Sequence, residues 1–280
     1  NYKVSSVHDV FDAVCKLAEE RGARVTGSEL VGLIPMDAIL LAGIHYLSKQ
    51  NCTLGVPKKD IIECAVQTLG LNDVSEFNPD EKIIEYAIEK NNKGLMGLSG
   101  KDLISLISDS SPAPGGGSVS AIAGSLGAAL VSMVAALTHE KKDFIRSRKK
   151  MNEIGVKAQD LKDRLIYLGE EDTEAFNAIL AANRLSDKTP EQKKFKEKRA
   201  FEANKYAIEI PLETAKLSLE VIKLSLDLIK HGNPSSVTDA EVASEVGLAG
   251  VRGGCMNVMI NLSAFDNISS SFAVICLIST

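Results

Sequence analysis

The sequence has no tryptophan, and aromatic residues make up only 5% of its 280 positions. Sheet-built sandwiches and barrels draw on aromatic and β-branched side chains to cover their pleated faces, so this scarcity, beside abundant Ala, Leu, Ile and Lys, points to helix packed on helix. Cysteine is sparse and scattered: Cys15, Cys52, Cys64, Cys255 and Cys276 are odd in number and never form C-x-x-C. That excludes a disulfide framework and a cysteine zinc site, and fits a reducing, cytoplasmic compartment. The four histidines (His8, His45, His139, His231) have no ligand spacing, so no metal is expected. Basic charge is not in excess, since 32 Lys and Arg stand against 37 Asp and Glu for a net charge of -5. Nucleic acid is therefore not expected as a partner, because counterion release requires a basic surface. G-x-S-x-G, Walker and G-x-G-x-x-G motifs are all missing. Asn1-Tyr2-Lys3-Val4 has neither an initiator Met nor the layout of a signal peptide, and reads as a chain that begins inside a longer protein.

What is present is the composition of a soluble globular protein, 45% hydrophobic and 25% charged, long enough for one large domain or two ordinary ones. Val119 to Leu137 is nineteen residues without a charge, close to the roughly 20 that cross a bilayer. Eleven of the nineteen are Ala, Gly or Ser, which add little to insertion, so the expectation is a buried bundle helix and no membrane. Gly124, Gly127, Ala128 and Ala135 would admit a close neighbour.

Residues 1–90 read as a small α+β subdomain. Apolar periodicity predicts helices over Val7–Glu20, Lys58–Leu69 and Pro79–Glu89, and Pro35 suits the first turn of another over Met36–Lys49. Arg24 to Gly27 reads as a short strand. Residues 91–97 are turn-forming and serve as a linker. Residues 98–280 then read as helices throughout: Lys101–Ser108, Ser118–Leu137, Lys141–Leu168, Glu170–Asn183, Pro190–Lys230 and Thr238–Leu262. Pro211 lacks the N–H for the usual i−4 bond, so a kink or restart is expected there. Thr238-Asp239-Ala240-Glu241 has the form of a capping box. The fold class is mainly α: an antiparallel helical bundle preceded by the small α+β piece.

Three stretches could carry chemistry. In Ser110-Ser111-Pro112-Ala113-Pro114-Gly115-Gly116-Gly117-Ser118, prolines fix the approach, glycines free the backbone, and Ser118 can cap the helix that follows. The product is either an anion-attracting helix N-terminus or a plain turn. Glu170-Glu171-Asp172-Thr173-Glu174 places four carboxylates within five positions. Such crowding can raise proton affinity for acid–base work, and the plain alternative is that the acids favour a helix N-terminus after Gly169. Basic runs at Lys141–Lys150 and Lys188–Lys205 carry six and seven cations, and could hold a polyanion or be solvated faces.

Taken together, the Pro-Gly-Gly-Gly-Ser approach to a small-residue helix, Asp172-Thr173-Glu174-Ala175-Phe176, Asn183-Arg184-Leu185, Gly232-Asn233 with Asp239, and Asn257-Val258-Met259-Ile260-Asn261-Leu262 resemble the bifunctional formimidoyltransferase-cyclodeaminase family. Gly27 to Pro35 resembles the C-terminal subdomain of its glutamate formimidoyltransferase half. The resemblance implies conversion of 5-formimidoyltetrahydrofolate to 5,10-methenyltetrahydrofolate with release of ammonia, with tetrahydrofolate as substrate and no prosthetic group. It implies Asp172 as the catalytic residue. The folate would lie beside Gly115, Gly116, Gly117 and Ser118, with Arg184, Asn233, Asp239 and Asn257 on the site wall. Lys193, Lys194 and Lys196 would take the polyglutamate tail, and a homodimer or higher homo-oligomer is expected. Two departures follow. The transferase half lacks its N-terminal subdomain, so this stretch is not expected to perform formimidoyl transfer, and after Leu262 the sequence diverges through Phe272-Ala273-Val274-Ile275-Cys276. The competing readings are methenyltetrahydrofolate cyclohydrolase and a catalytically inactive folate-binding or assembly module.

Overall fold

The computed structural model describes residues 1–89 and 94–263. Part of the expected linker and the divergent C-terminal stretch, including Cys276, lie outside the described residues. The chain forms two compact units, one built from the described part of Asn1–Lys93 with Ala135–Val156, the other from Gly94–Val134 with the described residues after Val156.

In the first unit, α1 (Val7–Glu19) begins where Ser6 accepts a hydrogen bond from the Asp9 N–H. It is followed by α2 (Met36–Lys49), α3 (Lys58–Thr68), α4 (Pro79–Lys82) and α5 (Ile84–Glu89). Ile39, Ala42, Tyr46, Ile62, Ala65, Leu69 and Ile83 form its core. The strand expected at Arg24–Gly27 does not form, because no second strand is present to pair with it; among the described residues the extended chain makes one parallel bridge, Ile34 to Ile83. That bridge also divides the expected Pro79–Glu89 helix. Ile83 takes an extended conformation, and its neighbour Ile84 donates its N–H to Ile34 O.

The second unit is a four-helix bundle approached through a short 3-10 turn at Leu95–Gly97 and α6 (Gly100–Ile107). Its members are α7 (Gly116–Glu140), α8 (Arg148–Asn183), α9 (Pro190–His231) and α10 (Val237–Ser263), of which α7 and α8 also supply Ala135–Val156 to the first unit. Cross-contacts fix an up-down-up-down order. Gly117 faces Asp172 and Gly124 faces Leu165, so α7 and α8 are antiparallel. Arg164 reaches Glu213 and Lys157 reaches Glu220, so α8 and α9 are too. Gly254 meets Pro211 and Gly247 meets Val221, which orients α10 against α9. Gly127 meets Ala243 and Gly253 meets Ser120, which closes the ring between α10 and α7. Where these helices cross, Gly124, Gly127, Gly250 and Gly254 lack the Cβ that would collide with the neighbour, and Ser120, Ser125 and Ser218 are buried. The stretch of α7 apolar enough to cross a bilayer is 56% buried within the protein.

Several boundaries differ from expectation for identifiable reasons. A 3-10 segment at Lys142–Ser147 precedes α8, so that helix begins at Arg148 rather than Lys141. It then runs unbroken through Gly169, since one interior glycine is unfavourable by only about 1 kcal/mol relative to alanine, and Gly169 is packed beside Ser118 and Ile122. Helix α9 likewise continues through Pro211 without restarting. The last helix has already begun at Val237, after a 3-10 turn capped by Asn233, which places Thr238 inside the helix instead of at a capping box.

Candidate active site

The glycine loop, the acidic cluster and the end of α10 meet at one end of the bundle. Helix α7 starts at Gly116, two residues before Ser118, which frees the Ser118 hydroxyl from capping. It donates to Asp172 Oδ2 at 3.0 Å and lies 3.2 Å from Thr173 Oγ1. Gly117 admits that carboxylate against the α7 backbone: a Cβ there would overlap it. Asn257 approaches Gly116 from α10 and donates from Nδ2 to Gly253 O at 2.8 Å.

Burial raises the proton affinity of Asp172 above the usual carboxylate range, while hydrogen bonding from Ser118 pulls the other way. The neighbouring glutamates, expected to raise it by repulsion, are turned to other tasks. Glu170 accepts the Met96 N–H at 3.2 Å. Glu171 accepts from Arg164 at 3.0 Å and from the Tyr206 hydroxyl at 2.8 Å. Glu174 is exposed. Because Gly169 lies mid-helix, the cluster is not at the N-terminus of its own helix; the helix start that the Asp172 carboxylate faces is that of α7, at Gly117 and Ser118.

The bundle spreads the other candidate residues apart. Asp239 is 18 positions before Asn257 on α10, about 27 Å away at 1.5 Å per residue. Asn233 is buried in the turn before it, with its side chain accepting from the Ser235 N–H. Both belong to the opposite end of the bundle. Arg184 is exposed just past the end of α8, about 18 Å along from Asp172. Lys193 and Lys194 are exposed on α9, and Lys196 is paired with Asp187 at 3.1 Å. An apolar cleft of about 420 Å³ opens nearby between α8 and α9, lined by Ala178, Leu185, Phe195 and Tyr206 but not by Asp172.

Sequence reading missed Thr173, Arg164 and Tyr206. Arg164 forks onto both oxygens of Glu213 at 2.7 and 2.8 Å while also holding Glu171, so it ties the Asp172 segment of α8 to α9. The i, i+7 spacing of Arg164 and Glu171 was the available signal. Chemically, the site offers one carboxyl group with raised proton affinity, two hydroxyls and a carboxamide. No three His, Cys, Asp or Glu side chains among the described residues are grouped to hold a metal ion.

Residues 99–271 match the formiminotransferase-cyclodeaminase family, and residues 1–89 match the formiminotransferase domain. The formimidoyltransferase-cyclodeaminase of Gallus gallus is 33% identical over 264 residues, covering 94% of this chain and 49% of that protein. The chain thus spans about half the length of the curated relatives it matches. A methenyltetrahydrofolate cyclohydrolase of Methylorubrum extorquens is 35% identical over 161 residues, 58% of this chain and 77% of that protein. Among solved structures, formiminotetrahydrofolate cyclodeaminase of Thermotoga maritima superposes with a TM-score of 0.58 at 25% identity, over 66% of this chain and 87% of that one. With these two matches together spanning most of the chain, and a relative 33% identical over 94% of it, the chain belongs to the formiminotransferase-cyclodeaminase family.

Proposed function

We propose that the bundle converts 5-formimidoyltetrahydrofolate to 5,10-methenyltetrahydrofolate and ammonia, with Asp172 as the proton-transfer group. The observation that carries this reading is the Asp172 carboxyl itself, held by Ser118 against the glycine start of α7 with its proton affinity raised by burial. In the reaction, folate N10 attacks the formimidoyl carbon and loses its proton. The former imino nitrogen gains protons and departs as ammonia, leaving the methenyl bridge between N5 and N10. The attacking N10 and the formimidoyl carbon belong to one molecule, so holding them at near-attack distance supplies part of the acceleration. A carboxyl group poised to give and take a proton supplies another part.

The test is the absorbance of the methenyl product on adding 5-formimidoyltetrahydrofolate. Asp172→Asn should lower turnover by about 100- to 10,000-fold, the usual contribution of a general acid–base group. Retention of more than a third of the turnover would reject the assignment. The cyclohydrolase relative supports a second reading, water addition to the methenyl product. It predicts enzyme-dependent loss of that absorbance when methenyltetrahydrofolate is supplied alone.

The same proposal extends to the surroundings. Val119, Leu126 and Met133 repeat every seven residues on α7 and are 41%, 57% and 40% exposed, a stripe suited to the same helix of a second copy in a cytoplasmic homodimer or higher oligomer. The polyglutamate tail would run toward Lys193, Lys194 and Lys196. Exchanging all three for Glu should weaken pentaglutamyl folate far more than monoglutamyl folate, with the difference shrinking in salt. The glutamate formimidoyltransferase activity of a longer parent protein belongs to the same reading.

A further inference from the structure

In the first unit a cavity of about 240 Å³ is lined by Ser48, Asn51, Cys52, His139, Arg148, Lys149 and Asn152. Its chemistry is one-sided. In a chain of net charge -5, the lining holds two permanent cations and an imidazole but no carboxylate. Arg148 is oriented by its Nε, which donates to His139 O at 3.0 Å, so the outer fork of the guanidinium is left for another acceptor. Asn152 Oδ1 is occupied by the Leu54 N–H at 2.6 Å and the Thr53 hydroxyl at 3.2 Å, so the amide has only its Nδ2 donors to offer the cavity. Among the described residues no acid pairs with Arg148 or Lys149. The volume is below the roughly 300–1,000 Å³ of pockets for larger organic ligands, but ample for one small polyatomic ion.

We propose that this cavity binds a small oxyanion, a phosphate or carboxylate group, through Arg148, Lys149 and Asn152. A guanidinium fork is matched in geometry to both kinds of oxyanion. His139 is the built-in reporter. It is buried, and its proton affinity is lowered by burial and by Arg148, against the opposing pull of Glu140. An anion seated beside Arg148 and Lys149 would raise that affinity by favouring the imidazolium. The site stands apart from the Asp172 chemistry and does not depend on it.

The experiment titrates the intact chain with inorganic phosphate and, separately, with glutarate at constant ionic strength, following the imidazole signals by NMR, with His139→Gln used to assign the His139 resonance. The expected result is a saturable shift of His139 with an upward move of its pKa, and affinity at least about tenfold weaker in Lys149→Glu, where an attractive charge becomes repulsive. Lys149 is exposed, so its reversal leaves the fold intact. Saturation by phosphate alone identifies a phosphate group as the ligand, and saturation by glutarate alone a carboxylate. No saturable shift with either ion, or equal affinity in Lys149→Glu, overturns the site. Asp172→Asn should bind the ion as the wild type does, which separates this result from the fate of the deaminase reading.

Discussion

Asn261 Nδ2 donates to Ala207 O at 2.6 Å, and Ala207 is the residue whose carbonyl Pro211, four positions on, has no N–H to satisfy. A side chain from α10 thus fills the gap that a proline opens in α9, and the 42-residue helix runs on. The same bond fixes α10 along α9, one turn from Asn257. Asn261→Leu should lower stability by about 1–3 kcal/mol, the penalty for stranding a buried acceptor. In a Pro211→Ala background the carbonyl regains a backbone donor, and the loss should shrink. A double-mutant cycle by urea unfolding checks this, and equal losses in both backgrounds would show that the two residues are not coupled.

Two glycines should respond oppositely to alanine. At Gly117 a methyl group would displace the Asp172 carboxylate, so turnover should fall at least about tenfold, the scale on which small misplacements of catalytic groups act. At Gly100, in the first turn of α6, nothing lies within 4 Å of the added methyl. That exchange should stabilise by about 0.5–1 kcal/mol through the entropy of the unfolded chain. Paired turnover and thermal-unfolding measurements decide both.

The raised proton affinity of Asp172 also has a sign for stability. The folded state holds this proton more tightly than the unfolded one, so stability from this group is greatest at low pH. It falls as pH rises from the ordinary Asp range through the folded-state value. Asp172→Asn, which can still accept from Ser118, should therefore unfold at higher urea than wild type at pH 7 and lose that advantage near pH 4. An Asn variant less stable at pH 7 would contradict burial as the dominant influence.

Arg164 and Lys157 both bridge α8 to α9, but they should not be equal. Removing Arg164 as Met leaves Glu213 to water and Glu171, only 12% exposed, with the Tyr206 hydroxyl but no cation, and should destabilise by about 1–3 kcal/mol. Lys157→Met breaks a single exposed pair and should change stability by about 0–1 kcal/mol. Denaturation curves of the two variants at low and high salt make the comparison.

Legibility in the sequence followed the range of the interactions involved. Helices α2 and α9 were readable because Pro35 and Pro190 mark their starts and apolar spacing marks their faces. The Gly116–Ser118 and Asp172 segments stood out locally, but their joining by the Ser118 hydroxyl was not readable, because it depends on how far α7 slides along α8. Asn233 and Asp239 looked like neighbours of Asn257 in a motif list, yet a straight helix carries them to the far end of the bundle. The acidic cluster was legible as a cluster but not in its division of labour, since Met96, Arg164 and Tyr206, which recruit its members, are distant in sequence.

The glycine and serine crossings of α7, α9 and α10 bear on how this bundle responds to temperature. A leucine-rich interior releases apolar surface on melting and so gives unfolding a large heat-capacity increment, about 12–15 cal/mol/K per residue in ordinary globular proteins. Here much of what the helices hide from water at their crossings is peptide backbone and hydroxyl, whose hydration carries the opposite sign. The increment should fall below that range. A flatter free-energy curve follows, in which cooling takes away less of the fold's margin than it does from a bundle packed with large aliphatic side chains.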